Sequence, residues 1–146
     1  MKKILIVYYS LGGNTRDAAE AVAKGCEDSG AQVVLKEGLI ATKEDLLECD
    51  GLAFGTPDYF SYMAGGLKDF FDRTFYPTQG QVTDKPYVAF VTHGGGGKAI
   101  ASLESVCQSF KLKKAAEAVI VKGKPDAQAS ASLMELGIKL VQSLGR

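Results

Sequence analysis

Two periods alternate along the chain from end to end: short apolar runs of strand length, and longer stretches whose apolar residues recur three and four apart. The run Ile4-Leu5-Ile6-Val7-Tyr8-Tyr9 has no polar alternation, as in a strand covered on both faces, and predicts a strand over roughly residues 3–9. It stops abruptly at Ser10-Leu11-Gly12-Gly13-Asn14-Thr15. Ala18, Ala19, Val22, Ala23 and Cys26 then share one helical face, and Ser29-Gly30 supplies a C-terminal stop. Gln32 to Lys36 reads as the second strand. Thr42 and Asp45, a variant of the capping box, open a short helix through Leu46 and Leu47 that runs out at Cys49-Asp50. Leu52-Ala53-Phe54 gives a third strand, expected to break at Gly55-Thr56-Pro57 because proline restricts the residue before it. Met63, Leu67, Phe70, Phe71 and Thr74 mark the next helix, with an exit at Tyr76-Pro77 and its aromatic pair in the core. A polar connection over roughly residues 75–85 leads to the fourth strand, Tyr87 to Thr92, which ends in His93-Gly94-Gly95-Gly96-Gly97. Ile100, Leu103, Val106, Cys107 and Phe110 make the fourth helix, Ala118 to Val121 the fifth strand, and Leu133, Leu140, Val141 and Leu144 the closing helix.

Five β/α units in succession predict an α/β, doubly wound three-layer sandwich around a five-stranded parallel sheet of order 2-1-3-4-5. No repeat, low-complexity tract or linker divides the 146 residues, so residues 1–146 are expected to form a single domain. Right-handed crossovers put every strand-to-helix loop at the carboxyl edge of such a sheet. The three chemically unusual loops follow strands one, three and four, which that order makes neighbours. They are expected to meet in one crevice.

Charge narrows the choice of ligand. With 17 basic and 17 acidic residues the net charge is zero, so no overall field draws the chain to nucleic acid or an anionic membrane. The clusters Lys111, Lys113, Lys114 and Lys122, Lys124 lack interleaved aromatics and read as solvated. The start of the chain shows no secretory leader and no apolar run is long enough to span a bilayer, which points to a cytoplasmic protein. Cys26, Cys49 and Cys107 form no C-x-x-C pair, lie on or beside apolar helix faces, and are expected to be buried reduced thiols with no metal role.

The first loop carries the clearest chemistry. Ser10, Asn14, Thr15 and the free backbone N–H groups of a helix N-terminus can hold a phosphate without any basic side chain. A Walker A loop is absent, because Thr92 stands where glycine is needed and Ala99 where Ser or Thr is needed. A dinucleotide fingerprint at Gly94, Gly96 and Ala99 sits on the fourth strand, and the next strand ends at Lys122 where an acidic residue is required. A phosphoacceptor receiver domain would need an acidic pair where this chain has Tyr9-Ser10. His93 is the only histidine, either a strand-end cap or a group facing a ligand.

Ser10-Leu11-Gly12-Gly13-Asn14-Thr15 resembles the phosphate loop of the flavodoxin-like FMN-binding proteins, departing only at Gly12, where that family usually has a hydroxyl residue. Gly55-Thr56-Pro57-Asp58-Tyr59-Phe60-Ser61-Tyr62-Met63 and Leu67-Lys68-Asp69-Phe70-Phe71-Asp72-Arg73 are similar to a narrower branch, the NADPH-dependent FMN reductases and NAD(P)H:quinone oxidoreductases. The resemblance extends over all the β/α units. It implies FMN held by Ser10, Leu11, Gly12, Gly13, Asn14 and Thr15 at the phosphate, and by Thr56, Pro57, Asp58, Tyr59 and Phe60 at the ring, with Tyr59 or Phe60 facing it. His93, Gly94, Gly95 and Gly96 are then expected at the pyrimidine side. His93 and Tyr59 are candidates for proton delivery. The resemblance further implies an oxidoreductase passing electrons from NAD(P)H through FMN to a quinone or similar small acceptor.

Two other readings stay open. One is a flavodoxin acting as an electron carrier between redox partner proteins; the other is an FMN-free interaction module. Carriers usually have a glycine in the second loop whose peptide can flip toward the flavin, an aromatic covering the ring, and an acidic surface. Between Pro57 and Met63 there is no glycine and the chain is neutral, which favours the reductase; its flavodoxin-like length favours the carrier. A homo-oligomer is left open.

Overall fold

The computed structural model describes residues 1–145. In chain order the elements are β1 (Lys3–Tyr8), α1 (Asn14–Asp28), β2 (Gln32–Glu37), α2 (Lys43–Glu48), β3 (Gly51–Tyr59), β4 (Tyr62–Met63), α3 (Gly65–Thr78), β5 (Pro86–His93), α4 (Ile100–Ser109), β6 (Lys113–Lys114), β7 (Val119–Lys122) and α5 (Ala127–Ser143). The sheet runs β2-β1-β3-β5, with β6 and β7 both pairing β5, and all of these contacts are parallel. This is the expected order, with the fifth position shared by two short strands.

The absence of polar alternation in the central strands has a direct cause: both faces are covered. Leu5, Val7, Leu52, Phe54, Tyr87 and Ala89 pack with Leu46 of α2, Leu67, Phe70 and Phe71 of α3, and Leu103 and Cys107 of α4. Ile4, Ile6, Ala53, Val88 and Phe90 form a second core with Ala18, Ala19, Val22 and Cys26 of α1 and Leu133, Leu136 and Leu140 of α5. Helices α1 and α5 approach closely because two glycines face backbone. A Cβ on Gly25 would strike the Met134 main chain, and one on Gly137 would strike Val22 and Cys26. The second helix follows its sequence signal closely, with Thr42 Oγ1 accepting from Asp45 N–H and Asp45 accepting from Thr42 N–H in a complete capping box.

Several boundaries differ from expectation. The third strand does not break at Gly55-Thr56-Pro57 but continues to Tyr59. Its neighbour β1 ends at Tyr8, opposite Gly55, while β5 keeps pairing through Pro57 and Thr92. Proline is tolerated there because the strand has a sheet neighbour on one side only. Met63 belongs to β4, the returning arm of a hairpin in which Tyr59 faces Tyr62, and not to the following helix. That helix, α3, runs past Tyr76-Pro77 to Thr78, whose hydroxyl bonds the Thr74 carbonyl in the final turn. The fifth strand begins at Val119, one residue late, and β6 precedes it, a pair of exposed lysines with no apolar signature.

The thiols of Cys26, Cys49 and Cys107 are free and buried. Lys114 pairs with Glu104 and Glu117 at 2.9 and 3.2 Å, and Lys124 approaches Asp17 at 3.9 Å. Among the described residues no helix is long and apolar enough to cross a membrane.

Candidate functional site

The carboxyl ends of β1, β3 and β5 bring their loops to a single crevice of about 230 Å³. Ser10, Leu11, Gly12, Asn14 and Thr15 line it from the first loop, Pro57, Asp58 and Tyr59 from the end of β3, and His93 and Gly94 from the end of β5. A hollow of about 440 Å³ between β7 and α5 is walled by solvent-facing Glu117, Gln128, Glu135 and Lys139, and none of these three loops reaches it.

The first loop is shaped as an anion cradle. Gly13 takes φ +104°, a conformation that glycine adopts at no steric cost, and this turns the chain into α1. Gly13 and Arg16 donate their N–H groups to Ser10 Oγ at 3.1 and 3.2 Å. Ser10 therefore braces the loop while its hydroxyl hydrogen remains available. The N–H groups of Gly12, Asn14 and Thr15 take no partner among the described residues. The N-cap, Gly13, has no side chain, so although Ser10 takes the Arg16 N–H the N-terminus of α1 still offers these donors and its positive dipole end to an anion. Behind them Thr15 Oγ1 shares a buried 2.7 Å hydrogen bond with Thr92 Oγ1, which ties the first loop to β5.

At the other end Tyr59 forms the wall. Burial pushes its phenol above the ordinary tyrosine value, and Tyr9 beside it adds to the shift. The group is therefore a neutral hydrogen-bond donor at physiological pH. His93 Nδ1 is buried and has no hydrogen-bond partner among the described residues, an unmet requirement in a residue that lines the crevice.

Not every expected residue reaches the crevice. Thr56 is fully buried, and its hydroxyl donates to the Pro57 carbonyl at 2.7 Å and accepts from Ala64 N–H at 2.8 Å. It holds the β3–β4 hairpin against α3, so its side chain offers nothing to a ligand. Phe60 stands at the hairpin tip, wholly exposed, and Gly95 and Gly96 lie outside the lining. Asp58 lines the crevice, but its carboxylate is committed, accepting from Ser61 N–H at 2.8 Å and from Lys98 N–H at 2.6 Å. It buckles the second loop to the third.

Thr92, at the head of the third loop, also lines the crevice, and one lining residue lies outside the three expected loops, Gly123. Thr92 had a usable signal, a polar residue near the end of an otherwise apolar strand. Gly123 is set at φ +73° and donates to the His93 carbonyl at 2.8 Å. It follows the last strand and could have been found by extending the carboxyl-edge rule to that loop.

A three-layer parallel α/β sandwich whose loops meet in a crevice at the carboxyl edge of its central strands defines the class, a flavodoxin-like fold. The family model described as NADPH-dependent FMN reductase matches residues 33–126, a range that contains the second and third loops. The chain is 39% identical over 106 residues to a protein named flavodoxin from Aquifex aeolicus, covering 70% of this chain and 57% of that protein. It is 32% identical over 133 residues to an NAD(P)H dehydrogenase (quinone) from Chelativorans sp., covering 74% of this chain and 67% of that protein. Among solved structures, a flavodoxin from the domain Archaea superposes with a TM-score of 0.90 at 22% identity over 99% of both chains, a likeness of fold. This chain belongs to the NADPH-dependent FMN reductase family, a family of FMN-dependent redox flavoproteins.

Proposed function

We propose that the crevice binds FMN and that the protein is an oxidoreductase taking electrons from NAD(P)H and delivering them to a quinone or similar small acceptor. The observation that carries this reading is the convergence of an uncapped phosphate cradle, a phenol-lined wall and an orphaned His93 Nδ1 in one crevice. These residues fit the cofactor. Ser10, Gly12, Asn14 and Thr15 would hold its phosphate, Pro57 and Tyr59 its ring, and His93 and Gly94 the polar edge of that ring. FMN, when bound, supplies the electron chemistry, which the protein's own groups do not provide.

Tyr59 and His93 are the groups able to exchange a proton with a ligand at the ring end. Gly94, Gly95 and Gly96 of the third loop carry no side chain to cover the ring, which would leave one of its faces open to a second substrate. Reduced thiols and the absence of a strong charge suit a cytoplasmic enzyme acting on small molecules as a single domain. Steady-state NAD(P)H oxidation by the FMN-loaded protein with a naphthoquinone tests the reading. Saturable turnover is expected; a rate no greater than that of free FMN would reject it.

The Aquifex relative's name supports a second reading, an electron carrier between redox partner proteins. A potentiometric titration separates them: two well-resolved one-electron steps with no NAD(P)H turnover would favour the carrier. A purified protein that cannot be loaded with FMN would favour an interaction module.

A further inference from the structure

The strand β7 lies at an edge of the sheet with one side of its backbone unpaired. It pairs only with β5, and just beyond it Gly123 N–H donates to the His93 carbonyl at 2.8 Å. Successive residues of a strand turn their N–H and C=O groups to opposite sides, so Val119 and Val121 face β5 as Gly123 does, while Ala118, Ile120 and Lys122 face outward. The N–H groups of these three have no partner among the described residues. Such an edge is a template for another strand. The other edge strands are better protected: β2 keeps Val33, Val34 and Leu35 half-buried, and β6 is two exposed lysines. Ile120 of β7 stands 42% exposed.

Two hollows of about 290 and 440 Å³ run between β7 and the flank of α5, and share Val119, Gln128 and Ser132. On that flank Ala131 and Ser132 are exposed and short enough for another chain to approach, and Glu135 and Lys139 carry opposite charges one turn apart. The two ends of β7 also differ in charge. Before it, Glu104, Lys114 and Glu117 form a cluster with one carboxylate in excess. At its end Lys122 makes no ion pair among the described residues, Lys124 reaches only Asp17, at 3.9 Å, and Asp126 spends its carboxylate on the N-terminus of α5.

We infer that two copies of this chain pair antiparallel through β7, about a two-fold axis at Ile120, so that the sheet continues from one copy into the other. That register sets Ile120 opposite itself and Ala118 opposite Lys122 of the second copy, so every outward-facing residue exchanges N–H and C=O bonds with another. An axis at Val121 would need strand beyond Gly123, whose φ of +73° ends it, and an axis at Val119 would set Lys122 against Ala116, outside β7. With the axis at Ile120, Glu117 of each copy lies opposite Gly123 of the other and beside its Lys122, bringing the spare carboxylate to the spare ammonium. The two α5 helices share one face of the joined sheet and run antiparallel, which offers Glu135 and Lys139 of each to the other in reverse order. A two-fold interface requires this self-complementarity, and an unrelated partner would not. Because Gly123 lines the crevice, Glu117 of each copy stands at the rim of the other's crevice, and the two crevices open at opposite ends of the joined sheet. The inference does not depend on what the crevice binds.

Sedimentation of the full chain with FMN added, from micromolar to millimolar protein, tests the pairing. Twice the chain mass is expected at the upper concentrations. Ile120→Pro removes the central outward N–H but none of the bonds to β5, and should raise the dimer Kd about a hundredfold. Glu117→Lys and Lys122→Glu should each raise it about tenfold, and the double variant, which restores every cross-copy pair in reverse, should return close to wild type. Amide exchange read by NMR adds a residue-level check: the Ile120 and Lys122 amides should gain protection as concentration rises, while that of Val121 is protected throughout. A monomer at every concentration overturns the inference. So does a dimer indifferent to both charge reversals, or one in which the Ile120 amide exchanges as fast as in the monomer. If circular dichroism shows that Ile120→Pro does not fold, the charge reversals and the amide exchange decide.

Discussion

At Gly12 the first loop departs from its resemblance in a way that can be reversed. A Cβ there would meet nothing within 4 Å and the backbone is not at positive φ, so the residue is not required to be glycine. Gly12→Thr is expected to add a hydroxyl to the phosphate cradle and tighten FMN binding by about 1–2 kcal/mol, measured by fluorescence titration. Gly13 is the opposite case. At φ +104° a side chain is strained, and Gly13→Ala should lower stability by about 1 kcal/mol and weaken FMN binding with it. The motif from Ser10 to Thr15 could be read from sequence because its cradle is built from neighbours in the chain. Asp58 could not be read correctly, since its carboxylate is spent on a backbone group 40 positions away. The role of Thr56 likewise depends on Ala64, brought back by a hairpin that the sequence reading did not contain.

Among the elements, α2 shows how a local signal survives folding. Its capping box lies within three residues, and Lys36 Nζ adds two 3.0 Å contacts to the Asp45 carboxylate. Burial pushes the Asp45 carboxyl upward, but the Thr42 N–H, the Lys36 ammonium and the Thr42 hydroxyl together hold it below its ordinary value. A carboxyl with a depressed pKa stabilises the fold above its unfolded pKa and loses that contribution as pH falls through its folded pKa. Asp45 should therefore contribute fully at neutral pH and be lost only at strongly acidic pH. Asp45→Ala is expected to cost about 1–2 kcal/mol at pH 7 in a urea melt, with the difference from wild type shrinking below about pH 4. Element boundaries were least legible where tertiary pairing decides them. Pro57 signals a break by its own chemistry, yet β5 carries the strand past it; Lys113 and Lys114 become a strand only because Pro86 and Tyr87 lie alongside.

Over the whole molecule, the order β2-β1-β3-β5 and the meeting of three loops follow from crossover handedness and an apolar pattern that covers both sheet faces. Both could be read in advance. The reaction could not, because it depends on what enters the open side of the crevice. The two cores also fix the thiols. Burial pushes Cys26 up to about 12 and Cys49 to about 11, and Cys107 well above the ordinary range. The nucleophilic thiolate is suppressed at all three. Ellman's reagent at pH 8 is expected to leave the native protein unlabelled and to modify all three cysteines in guanidinium; prompt labelling of the native protein would contradict the packing.

Whether FMN is held by its phosphate at the N-terminus of α1 is decided by an FMN titration of the wild type against the Asn14→Ala, Thr15→Val double variant. A melting curve on the variant controls for the lost Thr15–Thr92 hydrogen bond. If each residue contributes a hydrogen bond to a charged group, the folded double variant should bind FMN more weakly by about 2–4 kcal/mol. Equal affinity in the two proteins would mean that the phosphate is not held there.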